Sequence, residues 1–467
     1  MKKVKVAIIG AGSGGLSARR EVQKKTDDYV VIDGGTLGTT CARVGCMPSK
    51  VLIQVAEDFN RRKKYEEEGI SGGGELSINS SKVMTHVRKL RDRFVRGVIG
   101  GMDSWGESNF IAEYATFVDA NTLQVGAERI YAEKIIIATG STPVVPAMFQ
   151  EFKEHLITTD SFFELEQLPQ SVAVLGLGVI GIELGQALHR LGVETVGIAR
   201  REIVSGVSDP KLREYVNRKF SEEMNLSFNG VQSVEKVGDK LKIISGDKEF
   251  LVEKILLTAG RSTNWNSLGI ECLNLTSSNR GVPEFNPQTF QLKDHAHIFL
   301  AGDNTGEKQV LHEASDEGRI AGYNCVNEIQ AFKLRTPLVV TFSDPNIAFV
   351  GQMYKELVDA KTEFEIGEVS FEGQGRSIVK LKEIGMLRVY GCKKTGTLLG
   401  AELMAPDGEH LAHLLSWVIS QNLTVNQVLA MPFYHPVIEE GLRTALRDLR
   451  EKVDEKQPAL EIFPVED

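Results

Sequence analysis

The chain has 467 residues, 42% of them hydrophobic and 25% charged, with 54 Lys and Arg against 63 Asp and Glu for a formal net charge of -9. That length exceeds one ordinary hydrophobic core and predicts roughly three domains. The acidic balance disfavours sequence-independent nucleic-acid binding, and no apolar run reaches the roughly 20 residues that cross a bilayer, so no nucleic-acid or membrane partner is expected.

Val4 to Ile9 reads as a buried strand that starts so near Met1 that no signal or transit segment is expected, and a cytoplasmic protein is predicted. The loop Gly10-Ala11-Gly12-Ser13-Gly14-Gly15 leads into a helix over Leu16 to Lys24 and a strand over Tyr29 to Ile32 that ends at Asp33. This is a βαβ unit of the doubly wound kind. Gly10 makes the turn, Gly12 lets a pyrophosphate approach the backbone, Gly15 permits close packing, and the helix start supplies partial positive charge. Asp33 follows Gly10 by 23 positions, the spacing of a carboxylate that binds a ribose hydroxyl, so an adenine dinucleotide is the predicted ligand.

Cys41-Ala42-Arg43-Val44-Gly45-Cys46 comes next. Five cysteines in a reducing compartment do not form a disulfide scaffold, so a close pair points to metal or redox chemistry, and no metal set is predicted. In a regular helix, five positions separate alpha carbons by about 8 Å, beyond the reach of an unstrained disulfide. Gly45 permits the distortion that bridging needs, and strain eases reduction. Arg43 is a candidate to stabilise a thiolate. Cys272, Cys325 and Cys392 are scattered and are read as packing residues.

A charged helical stretch over Ser49 to Val98 carries Lys82, Arg88, Lys89, Arg91, Arg93 and Arg96, read as a solvated face. Lys134 to Ala138 is a strand running into Thr139-Gly140-Ser141-Thr142-Pro143, with a domain boundary near Pro146. Val172 to Leu175, the loop Gly176-Leu177-Gly178-Val179-Ile180-Gly181, a helix over Ile180 to Leu191 and a strand over Thr195 to Ala199 repeat the first unit. Counting 23 positions from Gly176 lands on Ala199, followed by Arg200 and Arg201. An arginine there suits a 2'-phosphate, so local chemistry favours NADP; otherwise both arginines simply face solvent.

Ile255 to Gly260 and His297 to Gly302, which leads to Asp303, are two more strands. From about Thr336 the pattern changes to strands over Val339 to Phe342, Met386 to Tyr390 and Leu398 to Met404, then helices, a separate α+β domain. Near the end stand His435-Pro436, Glu439 and Glu440. Pro436 restricts the backbone of His435, and Glu440 can accept the imidazole proton and set its tautomer. A thiol needs such a base before it attacks a disulfide.

With Cys41 to Lys50 (CARVGCMPSK), Ala138 to Ser141 (ATGS), Ala301 to Asp303 (AGD) and His435 to Glu440 (HPVIEE) in this order, the chain resembles the pyridine nucleotide-disulfide oxidoreductases over nearly its whole length. Pro48-Ser49-Lys50 and the run from Gly178 to Gly185 are most similar to the dihydrolipoamide dehydrogenase branch. The resemblance implies an α/β fold with two Rossmann-like dinucleotide-binding domains and a C-terminal α+β dimerisation domain. Its boundaries would be 1–146 with 266–335 for FAD, 147–265 for the nicotinamide and 336–467 for the subunit interface. FAD would meet Gly10, Gly12, Gly14, Gly15, Asp33, Gly38, Thr40, Lys50, Ala138, Thr139, Gly140, Gly302 and Asp303. The nicotinamide would meet Gly176, Gly178, Gly181, Arg200, Arg201 and Gly260.

The same resemblance implies that Cys46 is the thiol nearest the flavin, that Cys41 exchanges with substrate, that Lys50 and Glu183 pair near the flavin, and that His435 with Glu440 arrives from the second subunit of a homodimer. The expected activity joins dihydrolipoamide oxidation to NAD(P) reduction, with a lipoyl group and a possible 2-oxoacid dehydrogenase complex as partners. Arg43 and Val437 stand where this branch usually has Asn and Thr. Arg200 and Arg201 resemble glutathione reductase, which leaves an NADPH-dependent reductase of glutathione or a related disulfide as the alternative. The tail from Glu461 to Asp467 lacks the cysteine pair usual in mercuric reductases. A flavoprotein binding subunit without disulfide turnover is a third reading, disfavoured by the retained His435 and Glu440.

Overall fold

The computed structural model describes residues 1–278, 281–463 and 465. Its first sheet has seven strands. Lys2–Ile9 lies parallel between Tyr29–Ile32 and Glu128–Ile137, and Ile298–Leu300 returns from far along the chain to pair with the end of Glu128–Ile137. Val6, Ala7 and Ile8 are buried on both faces of the sheet, which is why this segment reads as a continuous apolar run and not an alternating one.

Helices include, in chain order, α1 (Ser13–Gln23), α2 (Thr40–Val44), α3 (Cys46–Arg61), α4 (Ser80–Gly100), α5 (Val179–Arg190), α6 (Leu311–Val326) and α7 (Glu440–Arg450), with others between. α1 and α6 cross in backbone contact. A Cβ on Gly318 would lie 2.2 Å from the Gly14 carbonyl oxygen, and one on Gly322 would lie 2.4 Å from that of Ala18. Gly14 therefore sits at a helix crossing as well as in the first glycine loop.

The second sheet is all parallel, in the order Asn225–Ser227, Glu194–Ile198, Ser171–Leu175, Lys254–Leu257 and Leu156–Thr158. Ser141–Pro143 pairs antiparallel with Arg261–Thr263 and ties the two nucleotide-type units together. The third sheet is antiparallel, ordered Leu338–Thr341, Asn346–Gly351, Leu398–Ala405, Met386–Cys392 and Phe364–Ser370. One of its faces is sealed by Leu442, Ala445, Leu446 and Leu449 of α7.

Three expectations change. The helical stretch over Ser49 to Val98 is two helices, because Gly69, Gly72, Gly73 and Gly74 interrupt it and Asn79 caps α4 by accepting the Lys82 amide hydrogen. Of its basic residues, Lys82, Lys89, Arg93 and Arg96 are exposed, but Arg91 is buried with Glu164 2.6 Å away and Arg88 donates to the Leu165 carbonyl. Among the scattered cysteines only Cys325 is buried, its thiol pushed up to about 12 by desolvation, whereas Cys272 is exposed and Cys392 half-buried. No described helix is long and apolar enough to cross a membrane.

Candidate redox and dinucleotide site

The two glycine loops are built alike. Gly10 has φ +108°, and a Cβ there would lie 2.3 Å from the Ala138 carbonyl; Gly176 has φ +103°, with Thr258 at 2.6 Å. A Cβ on Gly15 would sit 1.9 Å from the Gly10 carbonyl oxygen, as would one on Gly181 from that of Gly176. These four glycines are required by packing alone.

Gly12 and Gly178 differ: a Cβ on either would meet nothing within 4 Å. Each is the N-cap of its helix, and neither helix has a side-chain cap, so the first amides of α1 and α5 are left for another acceptor. Open space beside uncapped helix N-termini fits a pyrophosphate at both loops.

Beyond the first loop, Asp33 accepts from the Ala11 amide at 2.6 Å and the Gly35 amide at 2.8 Å, which fixes its carboxylate at the end of its strand. Gly38 has φ +114°, and Thr39 caps α2 just before Thr40. Thr139, between Ala138 and Gly140, accepts from Asn304 at 2.9 Å. Asp303 accepts from Ser141, whose hydroxyl also accepts from Arg261 at 2.8 Å. Next to it the Gly302 amide donates to Glu317 at 2.7 Å, and burial pushes that carboxyl up to about 8. In the second unit Gly260 has φ +127° with open space around it, and Arg200 and Arg201 are exposed. Among the described residues neither guanidinium has a side-chain partner.

Gly45 breaks the helix between the cysteines: α2 ends at Val44, Gly45 has φ -129° and ψ -119°, and α3 begins at Cys46. This is the distortion a five-residue spacing demands. The two thiols hydrogen-bond to each other, and they separate electrostatically. The bond from Cys41 and the charge of Lys50 hold the Cys46 thiol down at about 7 against burial and the charge of Glu183. The same bond, with burial, pushes the Cys41 thiol up. Cys46 is thus the more acidic thiol of the pair. The cation that lowers it is Lys50; Arg43, the candidate from spacing, is not among the main groups that shift either thiol, and its Nε is buried without a hydrogen bond.

Lys50 is held by two groups that also hold each other. Its ammonium lies 2.8 Å from Oε2 of Glu183, which is only 4% exposed, and 4.6 Å from the centre of the Phe342 ring. The Phe342 amide donates to Oε1 of Glu183 at 2.9 Å.

Beside Cys41 opens a cavity of about 460 Å³, walled by α1, the end of α4 and the start of α6. Arg19 lines it, 7% exposed, with its guanidinium 4.4 Å from the Trp105 ring and its Nε donating to Tyr29 at 2.9 Å. No carboxylate pairs with it among the described residues, and Trp105 Nε1 is buried without an acceptor. Arg20 also lines the cavity. His435 lies elsewhere, in the third unit and joined to Pro436 by a cis peptide, with Nδ1 3.0 Å from Glu440 and no bond to Cys41 or Cys46 of its own chain.

Sequence reasoning missed Phe342, Arg261, Asn304 and the Arg19–Trp105 contact, each of which acts across a long chain separation and has no local motif. A repeating glycine pattern gave no hint of them.

The model of the pyridine nucleotide-disulphide oxidoreductases matches residues 4–318, and that of their dimerisation domain matches residues 338–446. A dihydrolipoyl dehydrogenase of Geobacillus stearothermophilus is 27% identical over 452 residues, covering 93% of this chain and 93% of that one. A mercuric reductase of Bacillus cereus is 27% identical, covering 94% of this chain and 70% of the other. Among solved structures, the HOCl-induced flavoprotein disulfide reductase RclA of Escherichia coli in complex with Cu(II) has a TM-score of 0.83 at 19% identity, covering 97% of this chain and 99% of its own. LpdA of Mycobacterium tuberculosis has a TM-score of 0.83 at 21% identity, covering 96% and 99%. The chain therefore belongs to the pyridine nucleotide-disulphide oxidoreductases, FAD- and NAD(P)-dependent enzymes that carry a dimerisation domain.

Proposed function

We propose that the protein oxidises dihydrolipoamide, free or carried by a protein of a 2-oxoacid dehydrogenase complex, and passes the electrons to NAD(P). FAD would be held at the loop of Gly10, Gly12 and Gly15 with Asp33 on its ribose and would supply the two-electron acceptor, and a nicotinamide held at Gly176, Gly178 and Gly181 would supply the final one. The observation that carries this reading is the cysteine pair split by Gly45, in which Cys46 is the thiolate and Cys41 borders a cavity.

Residue by residue, His435 of the second subunit takes the proton of one substrate thiol. The resulting thiolate attacks Cys41, the Cys41–Cys46 bond breaks, and Cys46 leaves as a thiolate facing Lys50. The second substrate thiol displaces Cys41, so the substrate closes to a disulfide and the enzyme holds both electrons as a dithiol. Turnover of dihydrolipoamide with NAD is the test. No reduction of either nicotinamide by the flavin-loaded dimer removes the reading.

Two observations favour a second reading, an NADPH-dependent reductase of glutathione or a related anionic disulfide. Among the described residues, Arg200 and Arg201, which follow the strand end where a 2'-phosphate would bind, have no side-chain partner, and the buried guanidinium that lines the cavity beside Cys41 has no carboxylate partner. Faster oxidation of NADPH by oxidised glutathione than reduction of NAD by dihydrolipoamide would select it.

A further inference from the structure

α5 presents Glu183, Gln186 and Arg190 on one face, at spacings of three and four residues, and all three are buried. Each binds the short segment that follows the strand Leu338–Thr341 of the third unit. Glu183 accepts from the Phe342 amide; Gln186 accepts from the Asp344 amide at 2.9 Å and donates to the Asp344 carbonyl at 3.0 Å; Arg190 donates to the Asp344 carboxylate and carbonyl, both at 2.8 Å. Lys382 adds a bond of 2.7 Å to the same carboxylate. The Phe342 backbone is therefore seated by contacts at both its own amide and a residue two positions on. Its ring centre lies 4.6 Å from the ammonium of Lys50, which Glu183 also holds at 2.8 Å.

We propose that Phe342 is a positioning residue for the redox centre: its ring and amide, delivered by the dimerisation domain, hold the Lys50–Glu183 pair so that the ammonium faces Cys46. An alkylammonium held only by one carboxylate rotates toward water; a ring face closes that path and leaves the cation aimed at the sulfur. The groups facing Cys46 are Cys41 from α2, Lys50 from its own helix and Glu183 from α5, and only Lys50 is positive. Loss of Lys50's fixed position therefore moves the thiol in one direction, toward protonation. Seating of the domain that carries His435 is thereby coupled to the charge on a sulfur of the same chain. This deepens the proposed dithiol chemistry and rests on Cys46 being its thiolate.

The test uses the FAD-loaded dimer with Cys41→Ser, which leaves Cys46 as the one thiol of the pair, and follows the ultraviolet thiolate absorbance of Cys46 against pH, subtracting the Cys41→Ser/Cys46→Ser background. Phe342→Leu should raise the midpoint by about half a pH unit, an about threefold change in the proton concentration at half-titration. Phe342→Tyr, which keeps the ring and the amide, should restore the midpoint of the parent. An unchanged midpoint in Phe342→Leu overturns the proposal, and so does an equal shift in Phe342→Tyr. Turnover is measured separately on chains with both cysteines: failure with every disulfide, dithiol and nicotinamide removes the proposed function, while the titration still decides the role of Phe342.

Discussion

Nδ1 of His435 lies 3.0 Å from Oε1 and 3.1 Å from Oε2 of Glu440, while 80% of the histidine side chain is open to solvent. The bond to the imidazole and one from the Val437 amide hold the Glu440 carboxyl below the usual carboxylate range. The pair thus presents Nε2 outward with its other nitrogen fixed, the arrangement of a base that waits for a group from another chain.

Glu440→Gln should lower turnover by about tenfold and His435→Gln by about 100-fold or more, the span typical of general acid-base catalysis. Because the Glu440 carboxyl is depressed, its anionic partnership is complete at neutral pH and is lost only as pH falls below the ordinary carboxylate range. Steady-state rates of the two variants from pH 5 to 9 check this; parental rates in His435→Gln would contradict the assignment.

The cysteines should separate by colour. Anaerobic dithiol added to the flavin-loaded enzyme should produce a long-wavelength thiolate-to-flavin band that grows as pH rises through about 7, the value to which Cys46 is held. Cys46→Ser should abolish the band, whereas Cys41→Ser should keep it and stop turnover. A band that survives Cys46→Ser would reverse the two roles.

Gly12 and Gly15 are neighbours with opposite predicted outcomes. Gly15→Ala places a methyl 1.9 Å from a carbonyl oxygen and should destabilise the fold by on the order of 3 kcal/mol, the upper range for forced overpacking. Gly12→Ala meets nothing and should fold normally but lose FAD. The corresponding Gly178→Ala should keep both Tm and flavin while raising KM for the nicotinamide about tenfold or more. Thermal unfolding and flavin absorbance of the purified variants, together with steady-state kinetics against the nicotinamide for Gly178→Ala, decide all three.

Arg200→Glu with Arg201→Glu should weaken NADPH relative to NADH by about 10- to 100-fold, the loss of one charge-assisted bond of roughly 1.5–3 kcal/mol. Equal effects on both nicotinamides would show that these guanidinia touch no 2'-phosphate. A pair that faces only solvent would give no effect at all.

Gly318→Ala tests the α1–α6 crossing. The added methyl would stand 2.2 Å from the Gly14 carbonyl oxygen, so the helices must part. A loss of roughly 1–3 kcal/mol in stability together with weaker flavin retention is expected, since α1 also carries the first glycine loop. Unchanged Tm and flavin content would contradict that crossing.

Much of this protein could be read before its structure. Each glycine loop is a strand, a turn and a helix within about thirty contiguous residues, and the missing acid at Ala199 is visible by counting alone. The break at Gly45 was legible for the same reason: the geometry of five helical positions cannot accommodate a disulfide, so something between Cys41 and Cys46 had to yield. The cation that acts on the thiolate was not legible. Arg43 is nearer in sequence, yet Lys50 faces the sulfur, because a helix starting at Cys46 projects its residue four places on toward the same side.

Local chain geometry thus determined the repeated nucleotide-type units, the dithiol and the His–Glu couple, since turns, helix periods and short spacings are properties of neighbouring residues. Tertiary structure alone decided that Phe342, 159 positions from Glu183, joins it on one lysine, and that Arg19 is buried beside Trp105 with no carboxylate partner among the described residues. Such contacts arise where separately folded layers close on each other, and no periodicity in the chain encodes which side chains will meet there.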